Sequence, residues 1–93
     1  MKRAKKVLNV WDVIADTPEE AASLRIRAEL MDQIAALVEK KGWTQAQAAK
    51  VSGISQPRMN DLLRGKISKF SLDALVDVAT ALGCRVRMEL KAA

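Results

Sequence analysis

Four times in this chain a hydroxyl-bearing residue opens an apolar-periodic run and a glycine closes it, and no other feature constrains the fold as much. Thr17-Pro18-Glu19-Glu20 places Thr at an N-cap, Pro at the first helical position and Glu three residues after the cap. The helix it opens is expected to run to about Lys41. There Lys40 and Lys41 suit the negative dipole end and Gly42 supplies a left-handed exit. Thr44-Gln45-Ala46-Gln47 repeats the capping logic and opens a short helix to about Ser52, turned by Gly53. Ser55 caps a third helix, with Pro57 tolerated in its first turn, and Gly65 ends it. Ser71, with Asp73 just inside, opens a fourth that carries Leu72, Leu75, Val78, Ala79 and Leu82 and closes at Gly83.

The first of these helices has an apolar stripe at Ile26, Leu30, Ile34, Leu37 and Val38. A second stripe, Leu24, Ala28, Met31 and Ala35, widens the face, which reads either as deep burial or as a partner surface. Beyond Gly83, Cys84-Arg85-Val86-Arg87-Met88-Glu89-Leu90 alternates polar and apolar with period two, the pattern of a strand with one buried face. A strand must pair its backbone groups. Two partners are open: residues 7–14, or the same segment of a second subunit, with Val86, Met88 and Leu90 at a symmetric interface. Cys84 is expected as a small buried or half-buried residue at the strand start. Residues 1–16 read as a basic tail plus a short segment, 17–83 as the helical domain, and 84–93 as the strand. For residues 7–15, helix and extended chain are both open.

The 93 residues suffice for one compact domain, and with Trp11, Trp43 and Phe70 as the only aromatics its core must be aliphatic. With no His and one Cys, an imidazole base, an intramolecular disulfide and a Cys-pair zinc site are all excluded. Nothing gathers the carboxylates, serines or lysines into a catalytic constellation, so neither an enzyme, a metal site nor a cofactor is expected. The absence of a long apolar run and of a signal-peptide core makes the cytoplasm the expected compartment. The net charge of +5 points to a polyanionic partner, and its distribution is bipolar. Residues 1–6 carry Lys2, Arg3, Lys5 and Lys6, a tail that either solubilises the chain or reaches DNA. Residues 7–39 set Asp12, Asp16, Glu19, Glu20, Glu29, Asp32 and Glu39 against only Arg25 and Arg27. Residues 40–93 hold ten basic side chains and four acids.

The two short helices in the middle meet the requirements of a helix-turn-helix. Ala49 is small enough to let the second helix pack closely, Gly53 can take positive φ at the corner, and Ile54, Met59 and Leu62 fall where anchors are needed. The outward residues that follow, Gln56, Arg58, Asn60 and Asp61, are hydrogen-bonding types of the kind that read base edges in a major groove.

Thr44-Gln45-Ala46-Gln47-Ala48-Ala49-Lys50-Val51-Ser52-Gly53-Ile54-Ser55-Gln56, followed by Leu62-Leu63-Arg64-Gly65-Lys66, resembles the phage-repressor (XRE) family over roughly residues 30–83. The sequence departs from that pattern at Ser52, where the family has a hydrophobic residue. The resemblance implies a mainly α fold, a four- to five-helix lambda-repressor-like helix-turn-helix domain with, here, a C-terminal β-strand. It implies Gln56 and Arg58 as base or phosphate contacts beside Ser55, with Asn60 and Asp61 behind them. Gln45 would touch phosphate and steady Gln56, and Pro57 occupies a site where relatives have a polar reader. Arg64, Lys66 and Lys69 would meet the DNA backbone.

A wider resemblance, through Asn9-Val10-Trp11, Arg27-Ala28-Glu29-Leu30-Met31, Ser55-Gln56-Pro57-Arg58, Phe70-Ser71-Leu72-Asp73-Ala74-Leu75 and Leu82-Gly83-Cys84-Arg85-Val86, is to antitoxins of HigBA-type pairs. It implies a homodimer on a pseudo-palindromic double-stranded operator, and a basic ribonuclease toxin as second partner. A regulator without a toxin, and an interaction module that has lost DNA binding, remain open on the residues alone.

Overall fold

A computed structural model describes residues 15–92. The basic tail and nearly all of the segment 7–15 lie outside that range. Within it the four punctuated runs form α1 (Pro18–Lys41), α2 (Gln45–Ser52), α3 (Gln56–Leu63) and α4 (Leu72–Ala81), with a 3₁₀ turn (Ile67–Lys69) between the last two. Each cap side chain accepts the amide three residues on: Thr17 from Glu20 at 3.0 Å, Thr44 from Gln47 at 3.1 Å, Ser55 from Arg58 at 3.2 Å and Ser71 from Ala74 at 3.1 Å. At Thr44 the box is reciprocal, since the Gln47 side chain accepts the Thr44 amide at 2.8 Å. One such cap contributes about 1 kcal/mol, enough to fix where an eight-residue helix starts but not to hold it together.

Gly53 makes the corner. Its φ of 77° lies in the left-handed region, where a residue with a Cβ costs roughly 1–2 kcal/mol. The Gly53 and Ile54 amides both return to the Ala49 carbonyl, at 2.9 and 3.1 Å, and the Gly53 amide also reaches the Lys50 carbonyl at 3.3 Å, so the turn folds back onto the last turn of α2. Ser52, the departure from the family pattern, bonds its hydroxyl back to the Ala48 carbonyl at 2.8 Å, so no donor is left unmet at the turn.

The core forms where the short helices meet α1. Ala48, Met59 and Leu75 have no accessible surface left, and Leu62, Phe70, Val78, Ala79 and Leu82 are buried around them. Along α1 the buried stripe is Met31, Ile34 and Val38, flanked by Leu30 and Leu37, while Ile26 is 42% exposed. This is a rotation from the expected Ile26–Leu30–Ile34 line. The buried line takes Met31 from the second expected stripe and Ile34 and Val38 from the first, so the face packed against the core lies between the two.

The expected C-terminal strand is not formed. Residues 84–90 carry no regular structure, and Val86 alone among Val86, Met88 and Leu90 is partly buried against the core. A strand exists only where its backbone pairs with another, and among the described residues no segment pairs with it as a strand. The alternative partner, residues 7–14, lies outside the described range. Cys84 is exposed rather than half-buried, because its amide is tied back to the Ala79 carbonyl at 2.9 Å as the chain leaves α4 and the next inward side chain is Val86.

Met59 pins α3 to the core, so Met59→Ala should lower stability by about 2–5 kcal/mol. Chemical denaturation would detect this as a fall in midpoint, and an unchanged midpoint would mean α3 is held by something else.

Candidate nucleic-acid interface

The packing of α3 decides which of its side chains face outward. Met59 and Leu62 turn inward, so with 3.6 residues per turn Pro57, Asn60, Asp61 and Arg64 occupy the opposite side, flanked by Gln56 and Arg58. Gln56, Pro57, Arg58 and Arg64 are exposed, and Asn60 and Asp61 half-buried. Proline at the second position of the helix presents a rigid apolar surface and no donor. Ser55 is committed to the cap, its hydroxyl oxygen accepting the Arg58 amide. Gln45, in the first turn of α2, donates its side-chain amide to the Gln56 backbone carbonyl at 3.3 Å. The two helices are therefore braced against each other at the point where α3 begins.

The remaining candidates gather around the loop after α3. Arg58 lies over the face of buried Phe70, its guanidinium carbon 4.3 Å from the ring centroid, and donates to the Lys69 carbonyl at 3.3 Å. A stacked guanidinium of this kind contributes about 0.5–2 kcal/mol. Arg58 is thus turned toward the loop, with its guanidinium face on the ring and Nη1 on the Lys69 carbonyl. Asp61 accepts from Lys66 at 3.5 Å and sits 3.9 Å from Lys69. A carboxylate repels phosphate, so its physical contribution is to hold two lysines together on the outer surface. Lys66 and Lys69, expected from the sequence to meet the DNA backbone, are indeed brought side by side next to α3.

Two contributors escaped the sequence reading. Phe70 is the floor on which Arg58 rests. Arg27 on α1 donates to the Phe70 carbonyl at 3.1 Å and to that of Ile67 at 3.4 Å. The available signal was the register of Arg27: it stands four residues before Met31 on the stripe of Ile34 and Val38, a charge where periodicity calls for an apolar side chain.

A helix–turn–helix braced by Gln45, with an exposed second helix and cations on the loop behind it, has the geometry that lays a helix into a major groove. A family model described as a helix-turn-helix domain matches residues 13–91. The chain belongs to that helix-turn-helix family. No curated protein matches the chain. In a helix-turn-helix domain α3 is the recognition helix, and the chemistry of this one suits a DNA-binding regulator: amide side chains for base edges, and a cationic loop for phosphates. Among the described residues no cluster of acids and Cys is arranged to hold a metal ion, and no helix is long and apolar enough to cross a membrane.

Because Asp61 competes with phosphate for Lys66 and Lys69, Asp61→Asn should tighten binding to random-sequence duplex a few-fold at low salt, as expected for exposed ion pairs worth up to about 1 kcal/mol each. The dependence of affinity on salt should also steepen. Titration of a labelled duplex at several salt concentrations measures both, and weaker binding by the variant would show that Asp61 aids binding, by holding the two lysines in place or by contacting DNA, rather than competing for them.

Proposed function

We propose that this helix-turn-helix protein is a sequence-specific transcriptional repressor that binds a pseudo-palindromic operator as a homodimer, and that it is the antitoxin of a type II pair. The observation that carries the DNA-binding part is the brace between Gln45 and Gln56 beneath an exposed α3. It fixes the backbone of the residue whose side chain is best suited to a bidentate contact with adenine, while the Lys66–Lys69 pair supplies non-specific affinity.

The dimer reading is supported by an open groove of about 710 Å³ lined by Ile26, Leu30, Leu72, Val86 and Met88 and bordered by Glu89, with Leu90 wholly exposed beyond it. The occupant that fits is the C-terminal segment of a second copy. An antiparallel pairing centred on Met88 sets Val86 against the partner's Leu90 and Arg87 against the partner's Glu89, matching both faces at once. The sequence-stretch alternation that predicts a strand is then satisfied between subunits.

The antitoxin part rests on the resemblance to HigBA-type antitoxins and on charge. Glu19, Glu20, Glu29, Asp32 and Glu39 are all exposed along α1. That is an acidic helix surface, suited to a basic ribonuclease.

Selection from random duplexes should return a pseudo-palindrome with half-sites about one helical turn apart. On that site Gln56→Ala should cost roughly 1–3 kcal/mol and leave random DNA unaffected, whereas equal loss on both would remove Gln56 from base reading. The double variant Asp32→Lys, Glu39→Lys should keep operator binding and lose co-purification with the product of the neighbouring gene. If the unaltered protein captures no such product, the toxin-free repressor is the correct reading.

A further inference from the structure

The loop between α3 and α4 carries the cations of the interface, and its own backbone bonds, such as Lys69 to Lys66 at 3.0 Å and Phe70 to Ile67 at 3.3 Å, are supplemented from outside it. Its 3₁₀ turn begins at Lys66 without a side-chain cap, in contrast to the Thr and Ser caps of α1, α2, α3 and α4. Three of its carbonyls are instead taken by guanidinium groups. Lys69 is held by Arg58, and Ile67 and Phe70 by Arg27, which comes from α1, 40 and 43 residues earlier in the chain. The Arg27 Nε is buried with no hydrogen-bond partner among the described residues. Its desolvation is offset there by the two carbonyl bonds, which are charge-assisted and hence stronger than neutral ones.

We infer that Arg27 is a positioning residue for DNA binding: by tying the Ile67 and Phe70 carbonyls to α1, it fixes the loop that presents Lys66 and Lys69 to the phosphate backbone. The inference rests on the DNA-binding reading above and adds to it a residue remote from the recognition helix. With the inner carbonyls drawn to Arg27 and Arg58, the loop's two lysine side chains are left on the outside, where both are exposed and joined by Asp61. A loop already ordered before DNA arrives loses less conformational entropy on binding. A simple structural staple would share the geometry but not that consequence. It would lower stability without acting through the lysines.

The test compares Arg27→Met, Arg27→Lys, Lys66→Ala with Lys69→Ala, and the triple variant Arg27→Met, Lys66→Ala, Lys69→Ala. Two readouts are taken: amide hydrogen exchange of the DNA-free protein, and duplex affinity as a function of salt, both well below the melting point of each variant. Arg27→Met should speed exchange of the Lys69 and Phe70 amides about tenfold or more while leaving those of α2 unchanged. It should also reduce the salt slope toward that of the lysine double variant, whose loss of two phosphate contacts is about 1.8 in slope. The triple variant should bind no more weakly than the lysine double variant. Both carbonyl bonds leave one guanidinium nitrogen, and Arg27→Lys keeps the charge and a three-donor head on a shorter stem, so it should share both defects in part.

Three results would overturn the inference. Binding lost in Arg27→Met but kept in Arg27→Lys, with the loop amides of both variants exchanging equally fast, would reduce Arg27 to a long-range charge. Losses that add in full in the triple variant would reduce it to a staple. Loop exchange unchanged by either substitution would deny that Arg27 orders the loop. Failure of the unaltered protein to bind any duplex would take down the DNA-binding reading and this inference with it, a pattern distinct from the other three.

Discussion

The contact on which the rest of this small domain depends is that of Met59 and Leu62 with the floor formed by Ala48, Ala49 and α1. Burying two such side chains supplies about 1.5–3 kcal/mol each, a large share of the stability an ordinary domain of this size possesses. It also sets the angle of α3. Alanine at 48 and 49, both buried, lets the two short helices approach until the turn between them can be only a few residues long. Once α3 is seated by its inner face, its outer face is decided by periodicity alone, and Gln56, Asn60 and Arg64 need no further support to face solvent.

Charge is organised around that seat in layers. Innermost is Phe70, buried, with the Arg58 guanidinium on its face. Around it the loop carbonyls of Ile67, Lys69 and Phe70 are held by Arg27 and Arg58. Outermost is the triad of Asp61, Lys66 and Lys69. The loop that carries Lys66 and Lys69 is thus bonded to guanidinium groups from two different helices. This arrangement answers a difficulty specific to small basic domains, in which long side chains must be kept available for phosphate without being left wholly disordered.

Much of the architecture could be read in the chain beforehand, because it rests on interactions between near neighbours. Thr17, Thr44, Ser55 and Ser71 each cap a helix through an amide three residues away, and Gly42 and Gly53 each exit one through a backbone angle that other residues resist. The anchors Ile54, Met59 and Leu62 and the small Ala49 followed from spacing around that turn. Residue roles were less legible. Arg58 belongs by position to the reading face, yet its partner in the folded chain is a ring 12 residues on. Asp61 by position stands among base readers, yet it pairs with loop lysines.

Sequence by itself therefore determined the order and approximate limits of the four described α-helices, and which two of them form the helix–turn–helix, since caps, glycines and periodicity act within a turn or two. Tertiary structure alone decided which face of α1 is buried, where Arg58 points, and that Arg27 reaches the loop 40 residues away, because these follow from packing between elements whose mutual distance no local pattern encodes. The C-terminal segment shows the same boundary from the other side. Its alternation at Val86, Met88 and Leu90 is a local property and plain in the chain. Whether it becomes a strand is not, because a strand's hydrogen bonds belong to a second segment as much as to itself.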